Sequence, residues 1–249
     1  MELSKRLQAV ADLVTAGYKT ADIGTDHAYI PIYLVEHHIV PSAVAMDVND
    51  GPLKRAEAHV REKGLKEQIS LRLSDGFGAL RPGEADAAVL AGMGGGLVIK
   101  ILKDSWDVTM DLKECILQPQ SEIAKVRAFL LEEGFLFLAE DMVLEDGKFY
   151  PMMKVKPPKA EEPEHMGRMS AGKISRQNGS WSEVEIIYGK LLLETKNPVL
   201  KQFLEKEIRI KTEILKNLKE QDSEHARKRM DELSLELLQA QKGMEYYAV

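Results

Sequence analysis

Strand-like and helix-like segments alternate along the first 156 residues, and this alternation constrains the fold more than any other feature of the chain. Short apolar runs at 20–23, 43–47, 69–73, 86–90 and 114–117 read as strands. Leu3, Leu7, Val10 and Val14 recur at helical spacing, so a helix is expected over 3–15. Further helices are expected over 29–38, over 51–63, from the glycine run at 91–96 to about residue 103, and over 122–133. Two longer strand runs, 135–144 and 148–156, meet at Glu145-Asp146-Gly147, and Asp-Gly between strand runs is a hairpin signal. Five strand–helix units followed by a hairpin predict an α/β fold. Its sheet should be doubly wound and mainly parallel, with an antiparallel edge hairpin.

Past residue 156 the composition changes. Pro157, Pro158 and Pro163 are followed by Gly, Ser, Asn and charged residues, so 157–182 reads as a linker or loop. Residues 183–243 read as helix, with Leu200, Leu204, Ile208, Leu215 and Leu218 on roughly one side. Gln221-Asp222-Ser223 interrupts the run, and Met230, Leu233, Leu237 and Leu238 mark a second helix. The expected organisation is a main domain at 1–156, the linker at 157–182, and a C-terminal helical hairpin of coiled-coil kind at 183–249. Such a hairpin either packs on the domain or dimerises, or it grips a substrate through Arg227-Lys228-Arg229.

Composition narrows the function classes. With 44% hydrophobic and 30% charged residues the chain can bury a core. Its single cysteine, Cys115, excludes an internal disulfide and a thiolate cluster, and the histidines lack ligand spacing, so no metal is expected. No run approaches the roughly 18 apolar residues of a membrane span, and the start reads as a helix rather than a signal peptide, so a cytoplasmic location is expected. The net charge is −6, with 18 basic and 24 acidic residues in 1–158 and 16 of each in 159–249. A nucleic-acid partner must therefore meet a local basic face, and a small substrate fits the charge equally well.

The polar clusters all fall at expected strand ends, where ligands bind in open α/β sheets. The first is Asp22-Ile23-Gly24-Thr25-Asp26-His27-Ala28-Tyr29-Ile30-Pro31. It resembles a dinucleotide turn but lacks the second and third glycines, and a carboxylate there repels a pyrophosphate. A ligand with a positive centre and no phosphate suits Asp22 and Asp26 better, and S-adenosyl-L-methionine is such a ligand. Asp47, about twenty residues on, is placed to accept hydrogen bonds from ribose hydroxyls, or else simply caps the next helix. Asp75 with Gly76 and Phe77 could hold an adenine, or form a plain Asp-Gly turn. Ala91-Gly92-Met93-Gly94-Gly95-Gly96 implies close backbone approach to a ligand or to a packed helix. His27 reads as a core histidine or a substrate contact, and Tyr29 as a packing residue or a stacking platform.

Several ordered motifs carry a resemblance: Leu3-Ser4-Lys5-Arg6-Leu7, the turn at 22–31, Asp50-Gly51-Pro52, Gly83-Glu84-Ala85-Asp86, Ala91-Gly92-Met93-Gly94-Gly95 and Leu117-Gln118-Pro119. Together they resemble the bacterial tRNA adenine-22 N1-methyltransferases. These have a Rossmann-like domain followed by a helical coiled-coil pair. Gln120 stands where that family usually has Asn. The resemblance implies a tRNA substrate, S-adenosyl-L-methionine as cofactor, and a monomer or weak homodimer. It implies cofactor contacts at Asp22, Gly24, Thr25, Asp47, Val48, Asp75, Gly76, Ala91, Gly92 and Met93. Asp26, His27 and Tyr29 become the candidates for positioning the base. Gly94, Gly95, Gln118, Pro119, Gln120, Arg227, Lys228 and Arg229 become candidates for substrate contacts. The alternatives are a methyltransferase for another RNA or a small molecule, or a non-catalytic RNA-binding protein of the same fold.

Overall fold

The computed structural model describes residues 2–158, 179–220 and 223–248. The chain divides into two compact units, Met1–Ser180 and Trp181–Val249. The expected linker at 157–182 falls largely outside the described residues, as do Gln221 and Asp222 of the expected helix break.

The first unit carries a seven-stranded sheet. Its strands are β1 (Thr20–Ile23), β2 (Ala43–Asp47), β3 (Ile69–Leu73), β4 (Ala87–Gly94), β5 (Glu114–Ser121), β6 (Leu136–Glu145) and β7 (Lys148–Lys156). The spatial order is β3-β2-β1-β4-β5-β7-β6. β3, β2, β1, β4 and β5 are parallel, and β7 is antiparallel to both neighbours. Every residue of β1 and β2 is buried, as a parallel sheet covered on both faces requires. Its helices are α1 (Lys5–Asp12), α2 (Tyr29–Glu36), α3 (Asp50–Glu62), α4 (Gly95–Asp104), α5 (Trp106–Asp111) and α6 (Ile123–Glu132). Val10, Ile32, Leu34, Ala45, Val89 and Ile116 belong to one buried cluster that joins α1 and α2 to the sheet.

Three details differ from the sequence reading. The β3–β4 connection contains turns and no helix, so the third strand–helix unit is incomplete. Arg72 replaces the helix as the organiser: it pairs with Glu84 and donates to the Ala79 carbonyl at 2.8 Å. Second, α5 follows α4 directly. Third, β4 and β5 run past the expected strand ends into the segments read as turns, pairing Ala91 with Gln118 and Met93 with Pro119 across register shifts. Pro119 is tolerated because β7 pairs with β5 only from Cys115 to Leu117, leaving the tip of β5 an edge.

The second unit contains α7 (Glu183–Tyr188), α8 (Lys190–Glu194), α9 (Pro198–Leu218) and α10 (Glu224–Glu245). The expected single first helix is broken twice. Gly189 adopts φ 95°, which favours glycine, and Asn197 caps α9 with Pro198 in its first turn. α9 and α10 form the expected antiparallel hairpin. A Cβ on Gly243 would lie 3.1 Å from Leu204, while Lys211 lies 3.4 Å from Glu236, so later residues of α9 meet earlier ones of α10.

α6 is tied to β6 by Arg127 and Glu140, whose side chains are 1% and 0% exposed and 2.8 Å apart. Removing one member of a buried ion pair leaves an uncompensated charge. Arg127→Met should therefore lower the unfolding free energy by about 3–5 kcal/mol in urea denaturation. A loss below about 1 kcal/mol, typical of exposed pairs, would contradict this account of the pair.

Candidate active site

The sheet order reverses between β1 and β4, and the loops at the carboxyl ends of the strands gather there. β1 ends in Asp22 and Ile23, and the chain then turns through Gly24 at φ 72°, Asp26 at φ 44° and Ala28 at φ 56° before α2 begins at Tyr29. Three of the turn amides are used within the fold. Gly24 and Thr25 both donate to the Met46 carbonyl, at 2.8 and 3.0 Å, and Ala28 donates to the Thr25 carbonyl at 2.9 Å. The Gly24 and Thr25 amides thus clamp the turn onto β2. A side chain on Gly24 would meet the Met93 methyl at 2.5 Å, so this glycine lets the β4 tip close over the turn.

Two carboxylates are buried beside this turn. Asp22 is 5% exposed and Asp47 8%. Asp22 accepts from the Thr25 hydroxyl at 2.6 Å, and Asp47 accepts from the Asn49 amide at 2.8 Å. Burial pushes the Asp22 carboxyl up to about 6, the Thr25 hydrogen bond opposes the rise, and Asp47 adds to it. The unfolded chain loses this proton near 3.8. The folded state therefore holds more protons between the two values, and the group's contribution to stability falls as pH rises across that window. Among the described residues neither carboxylate has a basic side chain as ion-pair partner. Val48 beside them is 59% exposed, and Asp75 is exposed at the end of β3. Gly76 is buried at φ 55°, and Phe77 is 1% exposed, so that ring packs in the core rather than beside a ligand.

Across the turn lies an aromatic patch. The rings of His27 and Tyr29 are 5.0 Å apart and inclined by 7°. His59 of α3 joins them at 5.4 Å from His27 and 5.5 Å from Tyr29. Asp26 is exposed and pairs with Arg55 at 2.5 Å. His27 Nε2 lies 3.5 Å from the other Asp26 oxygen.

The β4–β5 tips close the opposite side. Gln118 and Pro119 are buried and Gln120 is exposed. The Gln118 carbonyl oxygen accepts from Arg6 Nη1 at 3.0 Å and from the Gly92 amide at 3.2 Å. Gln118 thus orders the wall while Arg6, half-buried over the Tyr150 ring at 5.5 Å, carries a charge to it. A Cβ on Gly95 would lie 2.5 Å from the Ser121 carbonyl, so close packing of α4 on β5 explains that glycine. Ala91, Met93 and Gly94 line the same tip, and Gly92 at φ 81° turns it. Arg227, Lys228 and Arg229 lie exposed on α10 of the second unit, where Arg229 pairs with Glu232 at 3.0 Å. Sequence reasoning missed Arg6, Arg55 and His59. Arg6 sits inside the Leu3–Leu7 motif, whereas the other two carry no local signal. Among the described residues no group of three or more His, Cys, Asp or Glu side chains is placed to hold a metal, and no helix is long and apolar enough to cross a membrane.

A methyltransferase-domain family model matches residues 3–153. A tRNA (adenine(22)-N(1))-methyltransferase of Bacillus subtilis is 40% identical over 153 residues, which are 61% of this chain and 64% of that protein, a match spanning just under two thirds of the relative's own length. Among solved structures, the B. subtilis M1A22 tRNA methyltransferase TrmK superposes with a TM-score of 0.80 at 30% identity, covering 98% of this chain and 99% of that one. M. capricolum TrmK, solved in complex with S-adenosyl-homocysteine, gives 0.78 at 26% identity, covering 99% of each. The motifs, the sheet order and the full-length likeness converge, and the chain belongs to the methyltransferase-domain family and, within it, to the bacterial tRNA (adenine-22) N1-methyltransferases.

Proposed function

We propose that this protein transfers the methyl group of S-adenosyl-L-methionine to N1 of adenine 22 in tRNA. The observation that carries the reading is the buried pair Asp22 and Asp47 beside a turn whose Gly24 and Thr25 amides are held by the Met46 carbonyl. A pyrophosphate would meet two carboxylates. A nucleoside bearing a sulfonium and an ammonium meets complementary charge. Asp47 would accept from the ribose hydroxyls, Val48 would face the adenine ring, and Asp75 would accept from its amino group. Asp22, Gly24, Thr25 and Gly76 would shape the pocket floor, and Ala91, Gly92 and Met93 its inner wall.

When bound, the cofactor supplies an electrophilic methyl, which the adenine N1 lone pair takes while the C–S electrons stay on sulfur. Neutral N1 needs no strong base, so the protein's task is to orient the base and exclude water. N1 lies on the pairing edge, so the nucleotide must leave its stack to be read. His27 and Tyr29 would stack on it, and Asp26 would accept from the exocyclic amino group as methylation makes the ring cationic. Gly94, Gln118, Pro119 and Gln120 would border the base, and Arg227, Lys228 and Arg229 would contact phosphates. The protein would work in the cytoplasm, where its substrate is, as a monomer or weak homodimer.

With radiolabelled S-adenosyl-L-methionine, a tRNA transcript carrying adenine at position 22 should accept about one methyl per molecule, and the same transcript with guanine there should accept almost none. Equal labelling of the two would refute the position assignment.

Asp22 gives the site a pH signature. A cationic cofactor favours the ionised carboxylate, so affinity should be flat above pH about 6 and fall up to roughly tenfold per unit below it. Asp22→Asn should show low affinity at every pH. Calorimetric titrations from about pH 5 to about pH 8 check both statements, and a flat wild-type profile would contradict them.

Replacing Arg227, Lys228 and Arg229 together by Ala should weaken tRNA binding and make its salt dependence shallower, by about 0.7–0.9 in log–log slope for each phosphate that is no longer neutralised. Cofactor affinity should not change. Filter binding across a salt series tests this, and an unaltered slope would assign the triplet to solvent.

A further inference from the structure

We infer that Arg55 and His59 of α3 form a second wall of the substrate site, Arg55 taking a tRNA phosphate and His59 extending the surface on which the target base stacks. The inference rests on the tRNA reading above. Arg55 and His59 are four residues apart on one helix, so they share a face. That face meets the β1–α2 turn at two points. Arg55 reaches Asp26 Oδ1, and His59 Nδ1 lies 3.2 Å from the His27 carbonyl. A carbonyl only accepts, so Nδ1 carries the proton and Nε2 of the neutral ring is an acceptor.

The ring geometry points to a base. His27, Tyr29 and His59 lie at mutual centroid distances of 5.0, 5.4 and 5.5 Å, with interplanar angles of 7°, 22° and 15°. The three nearly parallel rings form one offset-stacked cluster, each only partly buried. Unstacked bases are held on such rings and on guanidinium planes.

The charge geometry points to a phosphate. The Arg55 and Asp26 side chains are 49% and 58% exposed, so their ion pair is weak in water. A backbone phosphodiester carries the same single negative charge and offers the guanidinium a bidentate partner of matching geometry. Moving Arg55 to the phosphate would also free Asp26 to receive the adenine amino group.

The test uses the full chain with Arg55→Ala, His59→Ala and His59→Phe, read by steady-state methylation, S-adenosyl-homocysteine titration and tRNA binding across a salt series. Arg55→Ala should raise KM for tRNA about tenfold and lower the log–log salt slope by about 1, with cofactor affinity unchanged. His59→Ala should lower kcat/KM about tenfold, a modest single-ring stacking loss. His59→Phe should recover most of it, because the ring remains although the hydrogen bond to His27 is gone. If His59 merely braces the turn, Phe will fail as badly as Ala, with weaker cofactor binding and a lower Tm, and the base-stacking role is overturned. Wild-type KM and salt slope in Arg55→Ala would overturn the phosphate role. Absence of methyl transfer by the wild-type protein would defeat the functional reading instead, while the Arg55 salt slope would still decide the phosphate contact.

Discussion

Two carboxylates buried at neighbouring strand ends set the terms for everything around them. Asp22 and Asp47 are nearly closed to water, Asp47 adds to the cost of ionising Asp22, and neither has a basic ion-pair partner among the described residues. Desolvation and like charge both disfavour this arrangement, and perturbed groups of this kind concentrate at functional sites. The fold supports it locally. Thr25 donates to Asp22, Asn49 donates to Asp47, and the Met46 carbonyl clamps the turn between them. On the proposed function a cationic nucleoside would relieve the cost, so that one pair of residues would link the stability of the strand ends to the choice of cofactor.

The mainly parallel sheet and the polar clusters at its strand ends were legible in the sequence because strand ends in an alternating α/β chain are punctuated by polar and glycine residues. Asp22, Gly24, Asp47 and Asp75 could each be placed at a strand end from local pattern alone. The tips of β4 and β5 were not legible in that way. Glycine and proline at 92–96 and 119 signal turns, yet a strand with an unpaired edge admits Pro119, and a bulge admits Gly92. Gly95 could be read as approached by a ligand or by a packed helix, and the carbonyl of Ser121 lying where its Cβ would be supports the second. Phe77 looked like a ring beside adenine and lies in the core. Arg55 and His59 were invisible because their meaning comes from a tertiary contact with residues about thirty positions earlier.

The second unit follows simpler rules. Its helices are set by caps: Ser182 with a reciprocal Glu185, Asn197 before Pro198, and Ser223 before α10. Its hairpin is held by leucines and a glycine contact, and its surface mixes both signs of charge, with Lys211 between Glu207 and Glu236. Such a unit is no bulk electrostatic clamp. Any RNA contact it makes must come from a few exposed basic residues rather than from net charge.

The central claim is that the acidic carboxyl ends of β1 and β2 receive the nucleoside of S-adenosyl-L-methionine, with the aromatic patch beside them left for the substrate base. A crystal structure of the full chain with S-adenosyl-homocysteine tests it most directly. The account predicts ribose hydroxyls within hydrogen-bond distance of the Asp47 carboxylate and the amino-acid end toward Asp22. It also predicts that the His27, Tyr29 and His59 rings stay uncovered. A nucleoside stacked on those rings, or one bound without contact to Asp47, would contradict it.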